Sequence, residues 1–248
     1  MNNARTEEVL ILLKRVRFIT YKQLAQYFGI SQKNANKHIN SMCEQKLLEP
    51  VPGARPSAFR MSTKAATAAN VEYMRKWRSP AAVHQYLMRN EFELTMRQRW
   101  PDFQMLTAGQ VKSRGLNLAK AEWPARFTDD QGQVHLALVL IDDYMMHVDR
   151  LRHALIRKHE TKNNDAYMAA FRAGKIDRIP RWDKYVSWLF VVTTFESRVD
   201  QFKSEASKLW TKTTKKIFIN GKHETVNLEM PDRVNIEVQS LKPIWRIA

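Results

Sequence analysis

Cysteine is almost missing from this chain. Cys43 is the only one among 248 residues, so no disulfide forms within the chain and stability must come from packing. Its setting in a short amphipathic segment marks it as a small packing residue rather than a redox switch. Long apolar runs are lacking as well, and none reaches the roughly 20 residues that a bilayer-spanning helix needs. The opening text MNNARTEEVL lacks the charged-then-apolar layout of a signal peptide. The expectation is therefore a protein of the bacterial cytoplasm, associated with nucleoid or plasmid DNA and not inserted in a membrane. The seven glycines build no phosphate-cradling loop, which leaves ATP-driven chemistry without support. Acid is scarce too: 25 Asp+Glu stand against 41 Lys+Arg, a formal net charge of +16. That excess favours a polyanionic partner, through long-range attraction and counterion release. Apolar residues at 44% and aromatics at 10% suffice for a core and argue against global disorder. The length admits one large domain or two small ones.

What is present is concentrated in residues 20–60. Leu24, Ala25 and Phe28 give a short helix an apolar stripe, and Gly29 supplies the turn residue that tolerates positive φ. Ile30 plugs the space between two helices, and Ser31 is a good N-cap for the second. In that helix Ala35, Ile39 and Met42 face inward. Gln32, Lys33, Asn34, Asn36, Lys37 and Asn40 are left outside. Amides and lysines on one helix face are the donors and acceptors that read base edges and phosphates in a major groove. Leu47 and Leu48 begin a strand, Pro50–Pro56 turn, and Ala58–Met61 return, with Arg55 and Arg60 placed to meet phosphate. Helix, turn, helix and hairpin in this order make a winged helix-turn-helix, whose partner would be double-stranded DNA.

Thr6–Arg15 is expected as the first helix of that domain, and Ser62–Lys76 as an alanine-rich helix behind it. Trp77-Arg78-Ser79-Pro80 breaks the pattern, which places a domain boundary between residues 78 and 79. Ala81–Arg99 reads as a long amphipathic helix. Strands are expected at Phe103–Leu106, Trp123–Phe127, Val134–Ile141 and Val186–Thr193, with helices at Met145–His159, within Asn163–Ile179 and at Ser197–Leu209. VHLALVLI has the near-continuous apolar text of a central strand buried on both faces. TDDQG before it is a hairpin-type turn. Short strands at Lys216–Ile219, Glu224–Leu228 and Trp245–Ile247 close the chain, the first two joined at Asn220-Gly221.

Four segments carry a family resemblance: His84–Glu91 (HQYLMRNE), Trp123–Phe127 (WPARF), Val139–Tyr144 with Leu151–His159 behind it, and Phe190–Thr193 (FVVT). The chain resembles the replication-relaxation family, and within it the MobC-type plasmid mobilisation relaxases, over about residues 5–210. The resemblance implies an α+β protein: a winged helix-turn-helix over 1–78, then a restriction-endonuclease-like α/β domain with a mixed sheet over 79–248. It also implies action at an origin of transfer or replication on a plasmid or other mobile element, beside other mobilisation or replication proteins. Active members would hold Mg²⁺ or Mn²⁺ on a few carboxylates, to polarise the scissile phosphate and activate the nucleophile.

The carboxylates depart from that pattern. The Pro-Asp position reads Pro124-Ala125, and Asp142, Asp143 and Tyr144 stand where Glu-x-Asp is expected. Asp142 and Asp143 are the candidate catalytic pair, Asp142 the candidate metal ligand, with Asp129, Asp130 or Glu122 as helpers. Gln110 replaces the supporting Glu of the upstream helix. The missing aspartate favours a catalytically degenerate, DNA-binding version of the nuclease fold. An active metal-dependent nickase using Asp142 and Asp143 stays the first alternative, and Tyr144 beside them reads as a core or strand-end aromatic rather than a covalent nucleophile. A winged-helix transcriptional repressor is the second, and dimerisation is left open. His147, His153 and His159 turn by about 120° per step on a helix and share no face, so they make no metal site. The basic runs Arg150–Lys158, Lys203–Lys208 and Lys212–Lys216, with the cluster Arg172–Arg181, offer a second DNA surface.

Overall fold

Thr20 and Ser31 each start a helix by capping it. The computed structural model describes residues 3–54, 57–71, 80–107, 110, 122–142, 186–209, 214–219, 222–227 and 234–241. Helix α1 (Asn3–Val16) is followed by strand β1 (Phe18–Thr20), α2 (Tyr21–Phe28) and α3 (Gln32–Glu44). Thr20 Oγ1 accepts from Gln23 N at 3.1 Å, and Gln23 reaches back to the Thr20 N–H, a reciprocal capping box. Gly29 ends α2 at φ 60°, a left-handed conformation that L side chains rarely adopt. Ser31 Oγ then accepts from Asn34 N at 3.2 Å to open α3.

Strands β2 (Leu48–Pro50) and β3 (Ala58–Met61) form a hairpin after α3. With β1 they make a three-stranded antiparallel sheet in the order β1-β3-β2. The role of Phe18–Thr20 as a third strand was not expected from the sequence. Three residues are too few to show an alternating pattern. The core beneath gathers Val9, Leu13, Val16, Ile19, Leu24, Ala35, Ile39, Met42, Phe59 and Met61. Helix α4 (Thr63–Ala68) stops well short of the expected Lys76. Asn70 enters the left-handed region at φ 54° and Val71 N–H donates to Ala66 O at 2.8 Å, closing the helix end.

Helix α5 (Pro80–Arg99) belongs to this first compact unit, which takes in Met1–Met105 and Leu241–Ala248, while the second spans Leu106–Ser240. The units divide later than the expected 78/79 because α5 is tied inward. Asn90 Nδ2 donates to Phe18 O at 2.7 Å and Gln23 Nε2 to Leu87 O at 2.9 Å. Fully buried Glu93 pairs with Arg15 and, at 3.0 Å, with Arg97, and accepts from Met105 N. Arg15 and Arg97 both lie over the Tyr27 ring. Burial pushes the Tyr27 hydroxyl far above its usual range, so it stays protonated among them.

After the short β4 (Gln104–Met105) come β5 (Glu122–Thr128), β6 (Val134–Asp142), β7 (Val186–Thr193), α6 (Glu196–Leu209), β8 (Thr214–Ile219), β9 (Lys222–Asn227) and β10 (Asn235–Ser240). A mixed five-stranded sheet has the order β10-β7-β6-β5-β4. β5 and β6 are antiparallel, whereas β6, β7 and β10 run parallel. β6 sits mid-sheet with Ala137–Asp142 all buried, as its apolar text implied. One face packs Leu138, Leu140, Leu189 and Val191 against Phe202 of α6. β10 was not expected; NIEVQS is too polar to announce itself. β8 and β9 pair antiparallel, Ile219 opposite Lys222, as the Asn-Gly signal implied. The fold is thus mixed α+β. The helices expected over 145–159 and 163–179, and the strand over 245–247, lie outside the described residues.

Candidate nucleic-acid interface

Helix α3 is built from poor material. Its text QKNANKHINSMCE includes three asparagines, each costing up to about 0.7 kcal/mol of helix propensity relative to alanine. Burial of Ile39 and Met42, both at 0% exposure, returns roughly 1.5–3 kcal/mol apiece, so packing and not propensity holds the helix. Gln32, Lys33, Asn34, Asn36, Lys37 and Asn40 are all exposed, while Ala35, Ile39 and Met42 are buried. Lys33, Asn36, Lys37 and Asn40 follow the i, i+3, i+4, i+7 spacing of a single face. Tyr21 Oη donates to Asn40 Oδ1 at 3.2 Å. Cys43 is half-buried and packs on the core, and burial raises its thiol above the usual range, which keeps it protonated and inert.

Arg60 is paired across the strands with Glu49, its register partner, and is largely buried. That ion pair braces the hairpin and competes with phosphate for the Arg60 guanidinium. Arg55 lies outside the described residues.

The second unit carries a polar site at the carboxyl ends of its parallel strands, the end at which open α/β sheets bind ligands. Asp142 closes β6 opposite Thr193 of β7 and is fully buried. Thr193 Oγ1 donates to Asp142 Oδ2 at 3.0 Å, and Arg198 Nε of α6 lies 2.8 Å from the same oxygen. Glu122 is buried opposite Leu140, towards the same end. Asp129 and Asp130 are not. They sit in the β5–β6 turn, and eight strand steps of about 3.3 Å separate Val134 from Asp142. Neither can share a metal with Asp142. Among the described residues no three His, Cys, Asp or Glu gather as a metal site, and Asp142 is already neutralised by a guanidinium. The described residues therefore do not fit a divalent metal. Asp143, Tyr144, His147, His153, His159 and the basic segments 150–158 and 172–181 lie outside them. Lys203 and Lys208 are exposed on α6. Gln110 turns back to accept from Thr107 N at 2.8 Å.

Asp129 has a structural task instead. Its Oδ1 accepts from Gln131 N and Gln133 N, and its Oδ2 lies 2.7 Å from His135 Nε2. His135 Nδ1 in turn lies 2.7 Å from Ser187 Oγ of β7. The His135 hydrogen bond, with the two backbone donors, holds the Asp129 carboxyl below its usual range. Neither this bridge nor the Arg198–Asp142 pair was expected from the sequence, because each joins residues that only the strand register brings together. Compared with protein families, with curated proteins and with solved structures, the chain matches none.

Proposed function

We propose that the chain is a sequence-specific duplex-DNA-binding protein whose N-terminal unit works as a winged helix. The observation that carries this is the exposed face of α3, where Lys33, Asn36, Lys37 and Asn40 project together from a helix packed by Ile39 and Met42. Three asparagines at exposed positions weaken the helix and serve no packing purpose, but their amides match base edges. A net charge of +16 supports the same partner. Gln32, Asn34 and Asn36 are assigned to base edges, and Lys33 and Lys37 to phosphate.

The mobile-element setting, an origin of transfer or replication, is supported by the family resemblance alone, as is the restriction-endonuclease-like character of the second unit. Within that setting the Arg198–Asp142 pair supports a grip without catalysis, since a carboxylate already held by a guanidinium and a hydroxyl is not available to a metal. The test is one preparation of the full chain with two readouts on supercoiled plasmid, in the presence and absence of Mg²⁺ or Mn²⁺. Salt-sensitive retardation without relaxed product is expected. Relaxed product that disappears in Asp142→Ala would instead establish a nickase.

A further inference from the structure

One amide on α3 is oriented by a residue from another helix. Tyr21, the first residue of α2, donates its hydroxyl to Asn40 Oδ1. Its ring leans on buried Phe59 of β3, with centroids 4.8 Å apart and a 57° tilt. The hydroxyl is thus located by the hairpin sheet and not by α3 itself. An asparagine amide offers one acceptor oxygen and two N–H donors. A bidentate contact with adenine needs both, the oxygen for N6–H and the nitrogen for N7. The Tyr21 bond takes one of the two lone pairs of Oδ1 and stops the amide from turning freely, so that Asn40 presents its Nδ2 donors. Asn36, four residues earlier on the same face, has no such tether among the described residues and keeps both functions.

Resting on the DNA-binding reading above, we propose that Tyr21 is a specificity-determining residue. It fixes Asn40 as a hydrogen-bond donor, so that Asn40 selects a major-groove edge rich in acceptors. Guanine, with O6 and N7, fits best, and thymine O4 is served by a single bond. Cytosine presents a donor at N4 and is rejected. Adenine loses the two-point contact that a freely turning asparagine would make. Tyr21 acts through Asn40, touching no base itself, and is a positioning residue in this sense.

The test is selection from a pool of randomised duplex DNA by the full-length chain, comparing wild type with Tyr21→Phe and Asn40→Ala. Tyr21→Phe keeps the ring against Phe59 and removes only the hydroxyl, and circular dichroism with thermal melting checks that both variants fold. The expected result is unchanged affinity of Tyr21→Phe for non-specific DNA, with discrimination falling about fivefold at one base-pair position, the worth of roughly one hydrogen bond. Adenine is expected to gain most there, and Asn40→Ala should lose its preference at that same position. If Tyr21→Phe selects the wild-type sequences with undiminished discrimination, the inference is overturned while DNA recognition by α3 stands. An Asn40→Ala variant with unchanged preferences overturns it equally. If the wild type enriches no sequence at all, the DNA-binding reading falls and the inference falls with it.

Discussion

Arg198 Nε lies 2.8 Å from Asp142 Oδ2, and that oxygen also accepts from Thr193. The pair closes the carboxyl end of the parallel strands with an internal cation. Removing one partner of a buried ion pair leaves an uncompensated charge, typically at a cost of about 3–5 kcal/mol. Arg198→Ala is expected near the lower end of that range, since its side chain keeps 14% exposure. Urea unfolding of the two single variants and the double variant Asp142→Asn/Arg198→Ala should show strong coupling. Additive effects would mean that the pair contributes nothing beyond its parts.

The Asp129 bridge gives a pH dependence of definite sign. A carboxyl whose folded pKa is depressed below its usual 3.8 stabilises the fold above that value, and the contribution is lost as pH falls through the lower folded pKa. Asp129→Asn should therefore melt below wild type at neutral pH, and the two should converge under acid conditions below about pH 3.8. Melting profiles from neutral pH downward make the comparison. Parallel curves throughout would show that the β5–β6 turn does not need the charge.

Helix α5 completes the N-terminal unit, so a fragment ending at residue 78 should fail where one ending at 105 folds. The shorter piece leaves Gln23 and the Phe18 carbonyl without their α5 partners, and Arg15 without Glu93. Losing these bonds costs about 0.5–1.5 kcal/mol each, and the packing of Tyr86 on Phe18 goes with them, together a large share of the stability of a domain of this size. Circular dichroism and thermal melting of the two fragments decide it.

Local signals were legible in the sequence and long-range ones were not. Gly29, Ser31 and the 35/39/42 spacing announced α3 and its outward face, since caps and helical periodicity act within a few residues. The apolar text of Val134–Ile141 likewise announced a central strand. Pro80 reads as a break in the sequence, whereas the compact units divide after Met105, and the bonds from Asn90, Gln23 and Arg15 that bind α5 inward span more than sixty positions. The Glu49 partner of Arg60 was likewise not legible before the hairpin register put the two opposite each other. The β5–β6 register separated Asp129 from Asp142, and the packing of α6 brought Arg198 to the strand end. Tertiary packing and register fix such partners, and apart from tight turns such as Asn220-Gly221 they leave no one-dimensional signature.

Within α3, lysines and asparagines should fail differently. Lys33→Ala or Lys37→Ala should weaken binding to every duplex alike and reduce the slope of log K against log salt by about 0.9 per lost phosphate contact. Asn36→Ala should leave that slope intact and cost about 1–3 kcal/mol on the preferred sequence only. Fluorescence anisotropy on preferred and scrambled duplexes separates the two classes.

The most direct measurement is the salt dependence of duplex binding by the full chain, wild type beside the double variant Lys33→Ala/Lys37→Ala. Tight binding with a steep salt slope, reduced by about two in the double variant, is the expected result. Equal slopes and affinities for the two proteins, with both folded, would contradict the assignment of α3 as the surface that meets DNA.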